Sequence, residues 1–396
     1  MPISRKVEEN LKRASFIRAM FEEGEKLRKI HGADKVYDFT IGNPDVEPPA
    51  LFREELKNLA LNPFPGMHKY MSNAGYQETR RAVAEVLSEE SGMEFTEGNI
   101  VMTVGAGGAL NVVLKTLLNP GEEIIILSPY FVEYKFYIDN HGGAVKEVST
   151  REDFQIDLEA IKSAVRPNTK GIIINTPNNP TGVIYDAPSL EQLGTLLREK
   201  EAEFGTDIYV ISDEPYAKIS YDGIKVPSIF RYIDNSIVVT SHSKDLALPG
   251  ERIGYLAVSP KVKNLDLVME GMVFANRTLG FVNAPALMQR LVAKLQKESV
   301  DIAEYQEKRD ILYDHLTEMG FEMVKPAGAF YLFPRSPIPD DVAFIKSAQK
   351  YNLLLVPGSG FGKPGYFRIA YCMNKKVIIN SLPAFKKLAE EYKLKP

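Results

Sequence analysis

The sequence predicts an α/β protein: a large domain with a mostly parallel mixed sheet flanked by helices, joined to a smaller α+β domain. Three observations lead there. Short, continuous, β-branched apolar runs recur through the first two-thirds of the chain, as strands covered on both faces should read. Amphipathic stretches separate these runs, which is the alternation of a parallel sheet. After about Asn283 the pattern changes to longer helical stretches with only short strands between them.

Taken in order, residues 1–44 read as largely helical and are expected to pack with the smaller domain. Phe16, Met20 and Phe21 fall there at helical spacing, which suits core or dimer packing. The large domain is expected over 45–285. Its strands are expected at Ile100–Val104, Glu123–Leu127, Gly171–Asn175, Ile208–Ser212, Ile237–Thr240 and Ile253–Val258. Its helices include Ala109–Leu118, Leu158–Val165 and Ser189–Lys200. The smaller domain takes 1–44 and 286–396. One long helical stretch spans Ala286–Met319, and Gly320 stops it as a C-terminal glycine does. Short strands are expected at Phe321–Val324, Ala329–Phe333, Leu353–Val356 and Phe367–Tyr371, with a last helix over about Lys376–Tyr392.

Composition narrows the function classes. A net charge of −4 over 396 residues does not point to nucleic acid or an anionic membrane as a partner. The single cysteine, Cys372, allows no intrachain disulfide and reads as a small buried hydrophobe. The N-terminus MPISRKVEENLKRASF carries no apolar stretch of signal-peptide length, so a cytoplasmic protein is expected. None of the five histidines has metal-motif spacing. His31, His141 and His315 read as solvated or satisfied, and His68 and His242 flank motifs without an assignable role.

Four motifs follow predicted strand ends. In TSHSKDLALPGERIGY, Ser241, Ser243 and Lys244 come directly after a strand, and Arg252 stands eight residues beyond Lys244. A lysine held by the scaffold can form a Schiff base with an aldehyde, and hydroxyls with an arginine suit a phosphate dianion. In NIVMTVGAGGAL a strand runs through Gly105–Gly108 into a helix, whose N-terminal N–H groups can receive an anion. That run lacks both the Gly-Lys-[Ser/Thr] ending of a nucleotide loop and the third glycine of a dinucleotide fingerprint. NTPNNPTG after Asn175 is a loop rich in Asn and Pro. In IYVISDEPY, Asp213 sits just past a buried strand with Tyr216 three residues on. Each alone has a bland reading: a surface lysine, a tight turn, a loop, a solvent-facing acid. Together they place a Schiff-base lysine, a phosphate cradle, an acid for a pyridine nitrogen and a phenol for a ring oxygen where open α/β sheets bind ligands. Pyridoxal phosphate needs that set.

On these residues the sequence resembles the fold-type-I pyridoxal-phosphate aminotransferases of class I/II, over nearly the whole chain. Ser-x-Ser-Lys…Gly-x-Arg-x-Gly and Asn-Asn-Pro-Thr-Gly are the most specific parts. The resemblance implies that Lys244 carries the cofactor as an aldimine, that Asp213 pairs with the pyridine nitrogen and that Tyr216 meets the ring oxygen. Asn179 is implied at the same oxygen and at the substrate carboxylate. Ser241, Ser243, Arg252 and the N–H groups of Ala106 and Gly107 are implied at the phosphate. Phe131 is placed like the aromatic that stacks on the ring, with Tyr130 as the rival. Arg368 resembles the arginine that grips the α-carboxylate, and Ile41 and Gly42 match the loop that covers the substrate. Tyr70 resembles the tyrosine that reaches the phosphate of the partner subunit, which implies a homodimer.

Two departures stand out. Gly107 occupies a place where many relatives carry a hydroxyl residue. No residue clearly matches the arginine that reads a side-chain carboxylate; Arg277 lies one position off and suits a surface or interdomain charge. The implied activity is transfer of the amino group of an L-amino acid to a 2-oxo acid by a ping-pong route. A C–S β-lyase on the same scaffold is the alternative, because only the fate of the carbanion differs. A regulator would need room for a DNA-binding domain before Gly42, and the glycine pattern argues against a dehydrogenase.

Overall fold

The structure is a computed structural model that describes residues 2–11, 29, 32 and 35–395. Phe16, Met20, Phe21 and His31 lie outside the described residues, and so does most of the helical character expected over 1–44; residues 5–11 are helical.

The strands are β1 (Tyr37–Asp38), β2 (Ile100–Thr103), β3 (Glu123–Ser128), β4 (Ala144–Ser149), β5 (Thr169–Asn175), β6 (Tyr209–Asp213), β7 (Ser236–Ser241), β8 (Gly254–Val258), β9 (Tyr331–Leu332), β10 (Leu353–Leu354), β11 (Val356–Pro357) and β12 (Phe367–Ala370). The principal helices are α1 (Ala50–Leu61), α2 (Gln77–Ser91), α3 (Gly105–Leu117), α4 (Glu133–Asn140), α5 (Leu158–Ala164), α6 (Ala187–Phe204), α7 (His242–Asp245), α8 (Leu265–Thr278), α9 (Ala286–Val292), α10 (Ile302–Glu318), α11 (Asp341–Gln349) and α12 (Lys375–Glu391).

Seven strands form the central sheet in the order β2-β8-β7-β6-β5-β3-β4. β3 to β7 pair parallel, and β8 runs antiparallel between β2 and β7. Both faces are covered, and the two-residue period of a strand divides the apolar run accordingly. Ile172 and Ile174 join Ile125, Val210 and Val238 in one apolar cluster, while Ile173 joins Ile124, Ile211 and Ile237 in the other. All six strands expected in this region are present. β4 is not among the expected strands: it is an edge strand whose residues AVKEVS are mostly exposed, so it carries no apolar run to read.

Helix ends follow local chemistry. Asp157, Asp186 and Asp301 cap α5, α6 and α10 by accepting from Ala160 N, Ser189 N and Ala303 N. Gly205, with φ 67°, ends α6 in the left-handed conformation that glycine adopts at no steric cost.

Two expectations for the C-terminal part are corrected. The stretch Ala286–Met319 is two helices, not one. The chain turns between Val292 and Ile302, where Val300 N donates to Asp245 O at 2.7 Å and Asp301 starts α10. Phe321–Val324 is not a strand; Phe321 N donates back to Leu316 O, and its ring packs against Phe367 and Phe385. Met288, Leu291, Val292 and Leu295 pack into the large sheet's cluster; a second large cluster joins Tyr216, Ile219 and Tyr221 to apolar residues from Val300 onward. Gly320 does end the second helix, at φ 90°. That second cluster gathers α10, α12, β9, β10 and β12 around Phe330, Phe344, Phe367 and Phe385, and Phe39 next to β1 joins it.

Candidate active site

The expected residues meet beyond the C-terminal ends of β5, β6 and β7. At one side, β2 turns into α3 through Gly105, whose φ is 69°. A Cβ at Gly105 would lie 2.9 Å from Arg252 Nη2, so only glycine lets the guanidinium rest against the start of α3. Ala106 and Gly107 follow in the first turn, where amide N–H groups have no helical acceptor. Ser241 ends β7 and Ser243 lies in α7, both buried. A helix N-terminus and an arginine thus meet, and Ser241 lies beside them: a Cβ on Gly254 would be 3.0 Å from both Gly105 Cα and Ser241 Cα.

Lys244, in α7, projects to the other side of this cradle. Its Nζ donates to the Gly42 carbonyl at 2.6 Å and lies 5.5 Å from the centre of the Phe330 ring. Burial brings its ammonium down to about 8, with the charges of Arg252 and Arg368 adding to the shift. Asp213 closes β6. Its Oδ2 accepts from the Tyr134 hydroxyl at 2.6 Å, and its Oδ1 is buried with no partner among the described residues. Burial raises the carboxyl to about 7, against the Tyr134 bond, which lowers it.

The far end is built around Arg368 of β12. Its Nη1 donates to Asn179 Oδ1 at 3.0 Å and its Nη2 to the Thr40 carbonyl at 2.6 Å, while its buried Nε has no partner among the described residues. The guanidinium lies 4.7 Å from the Tyr331 ring centre and 4.8 Å from that of Phe361. The Tyr331 hydroxyl lies 2.8 Å from that of Tyr216. Gly42 rests on the same tyrosine: a Cβ there would run into the Tyr331 hydroxyl.

Phe131 packs edge-on against Tyr134, with ring centres 5.6 Å apart. Tyr130 turns away, its hydroxyl donating to Glu147 Oε2 at 2.8 Å. Tyr70 does not join the cluster in its own chain and is 90% exposed. Arg277 is exposed on α8 beside the Phe274 ring. Cys372 is buried as expected, and burial pushes its thiol up to about 12. His242 is buried and bonded to Asp245 at 3.1 Å.

Two contributors are absent from the sequence motifs. Tyr134 lies in α4, four residues past the aromatic pair's first member, and reads there as an ordinary helical residue. Tyr331 lies in Ala329–Phe333, read only as a short strand. Nothing local marks either one; each gains its place from an element distant in the chain.

The donor set fits pyridoxal phosphate. The unpartnered Asp213 Oδ1 suits a protonated ring nitrogen, the Gly105–Arg252 cradle suits a phosphate dianion, and Lys244 is a buried amine of lowered basicity. The sequence model of the aminotransferase class I and II family matches residues 34–382. This chain belongs to that family.

The class I/II aminotransferase is similar to the aspartate/prephenate aminotransferase of Thermus thermophilus, at 33% identity over 91% of this chain and 92% of the relative. It is similar to aromatic-amino-acid aminotransferase 2 of Thermococcus litoralis, at 32% identity over 93% of this chain and 96% of the relative. The crystal structure of an amino transferase from Eubacterium rectale superposes with a TM-score of 0.96 at 40% identity, covering 99% of both chains. The protein is therefore a pyridoxal-phosphate-dependent aminotransferase of fold type I. These matches do not favour a C–S β-lyase. No helix among the described residues is long and apolar enough to cross a membrane.

Proposed function

We propose that the aminotransferase moves the amino group of an L-amino acid to a 2-oxo acid by a ping-pong route, with Lys244 carrying the cofactor. The observation that carries this reading is the position of Lys244 Nζ, a buried amine near the charges of both Arg252 and Arg368. When bound, pyridoxal phosphate supplies an aldehyde for the amine and a ring that takes up the electron pair of the broken Cα–H bond.

The chain's own residues do the rest. Ser241, Ser243, Arg252 and the first N–H groups of α3 hold the phosphate. Asp213 Oδ1 keeps the ring nitrogen protonated. Tyr216 and Asn179 serve the ring oxygen, and the packing of Phe131 against Tyr134 supports it over Tyr130 as the stacking aromatic. Arg368 and Asn179 bind the substrate α-carboxylate and so orient the Cα–H bond. A lysine with a pKa near 8 can take that proton as a base and return it as an acid. Gly42 and its neighbours cover the bound substrate and exclude water.

Tyr70, exposed in its own chain, is assigned to the phosphate of a partner subunit in a homodimer. Arg277 is kept as a surface charge. The names of the relatives set the first substrates to try: aspartate, prephenate and the aromatic amino acids. The test is a panel of L-amino acids, each mixed with the loaded enzyme while conversion of the cofactor to its amine form is followed by absorbance. Parallel double-reciprocal plots with a 2-oxo acid are expected. Borohydride reduction and peptide mapping should place the pyridoxyl group on Lys244. A label on another lysine, or no amine form with any donor, would overturn the reading.

A further inference from the structure

Asp213 is held by more than its strand. Its backbone carbonyl accepts from Asn175 Nδ2 at 2.7 Å, and its neighbour Glu214 N donates to Val239 O, so the main chain is tied on both sides. The carboxyl group, free to rotate on its own, has one side-chain partner among the described residues, the Tyr134 hydroxyl at 2.6 Å. Tyr134 is 2% exposed and Asp213 5%. The other oxygen, Oδ1, is the one left without a partner among the described residues. The same tyrosine supports Phe131: their rings meet edge to face at 80°, and Tyr134 N donates to the Phe131 carbonyl at 3.2 Å. One buried side chain therefore touches two residues read as cofactor contacts, one beside the ring face and one at the ring nitrogen.

We propose that Tyr134 is a positioning residue for the cofactor: its hydroxyl locks the Asp213 carboxylate with Oδ1 turned to the pyridine nitrogen, and its ring braces Phe131. This rests on the reading of Asp213 as the partner of that nitrogen. The chemistry follows from the donor inventory. A phenol that stays neutral donates to a carboxylate and stabilises only its ionised form. Burial and the Asp213 charge hold the Tyr134 phenol well above its ordinary range, so it remains a donor. The other titratable groups near the carboxylate cannot replace it. Tyr137 and Tyr216 are both raised by burial and make no bond to Asp213, and Glu214, raised to about 8 by burial, is another acid. Arg252, which acts on Tyr137, is committed to the α3 cradle. Without the Tyr134 bond a buried carboxyl favours its neutral form, which cannot hold a pyridinium proton.

The test is nitrogen NMR of holoenzyme loaded with cofactor labelled at the ring nitrogen, titrated in the wild type, Tyr134→Phe, Asp213→Asn and the double variant. Tyr134→Phe keeps the ring and its packing and removes only the hydroxyl. It should lower the titration point of the nitrogen by about one to two pH units, the range of a hydrogen bond to a charged group. Asp213→Asn should lower it further, and adding Tyr134→Phe to Asp213→Asn should change nothing more. If Asp213→Asn leaves the titration as in the wild type, the reading of Asp213 fails and the proposal with it. If Asp213→Asn shifts the titration and Tyr134→Phe does not, Asp213 stands and the proposal is overturned. An undiminished Tyr134→Phe effect in the Asp213→Asn background also overturns it. Should Tyr134→Phe not fold, 3-fluorotyrosine at position 134 keeps the bond and is a stronger donor. It should raise the titration point, and no rise overturns the proposal.

Discussion

Arg368 of β12 donates to the Asn179 side-chain oxygen at 3.0 Å, so the arginine proposed to bind the substrate carboxylate is aimed by an asparagine from the loop after β5. Its planar fork is also confined between the Tyr331 and Phe361 rings. A lysine keeps the charge but cannot satisfy Asn179 and the Thr40 carbonyl while gripping a carboxylate. Arg368→Lys should reduce kcat/KM by on the order of 2–4 kcal/mol, the cost of losing geometry in a buried charge pair. Steady-state kinetics across the donor panel checks this; an unchanged kcat/KM for every donor would remove Arg368 from the site.

Gly42 lies between the Lys244 amine and the Tyr331 hydroxyl. Its carbonyl accepts from Lys244 Nζ, and a Cβ would collide with the Tyr331 hydroxyl and sit 3.2 Å from the Phe330 ring. Gly42→Ala should therefore push the covering loop outward, destabilise by about 1–3 kcal/mol and raise KM more than it lowers kcat. Thermal melts with steady-state kinetics read both effects. The double variant Gly42→Ala/Tyr331→Phe removes the colliding oxygen and should recover part of the KM loss.

The largely buried Lys244 ammonium is a cost to the chain without cofactor. Its folded pKa, about 8, lies below its ordinary 10.5, so between these values the unfolded state binds more protons. Stability from this group is lowest below pH 8 and rises with pH through the window up to 10.5. Lys244→Met apoprotein should be more stable than wild-type apoprotein at pH 7, by about 2–3 kcal/mol after allowance for the lysine's partial exposure, and the gap should close above pH 10.5. Urea unfolding at a series of pH values measures it. A gap that does not change with pH would assign the effect to packing alone.

Tyr70 is 90% exposed in its own chain, which motivates a role in a partner subunit. An inactive Tyr70→Arg chain and an inactive Lys244→Ala chain, refolded together, should give mixed dimers in which one site carries both defects and the other neither. Activity should return toward half of wild type per mixed dimer. Mixed dimers that form but stay inactive would exclude action across the interface.

Much of the architecture was legible because burial on both faces leaves a mark on composition. A strand such as Thr169–Asn175 must be apolar at consecutive positions, and it reads that way without partners. The edge strand β4 is half solvated and left no such mark. The region Ala286–Met319 misled for a different reason. Helical composition continues across the turn at Val292–Ile302, but the helix ends in local turns, Lys294 N to Leu291 O and Leu295 N to Val292 O, and the chain beyond is tied to a distant element by Val300 N to Asp245 O. Phe321–Val324 looked like a strand because it is apolar, yet its phenylalanine is buried by ring packing instead of by a ladder.

The sequence by itself determined the α/β class and the order of the strands along the chain, and it offered Lys244, Asp213 and Arg252 as candidates past strand ends, with Asn179 and Arg368 implied by the family resemblance. Local physics suffices there, since a glycine that admits an arginine or a lysine fixed after a strand must be written into the chain at that point. Only the tertiary structure decided what orients those groups. Tyr134 meets Asp213 from 79 positions away, and Tyr331 meets Tyr216 from 115. A buried phenol bears no local signature of its partner, because hydrogen-bond pairing between distant elements depends on how the sheet and helices pack.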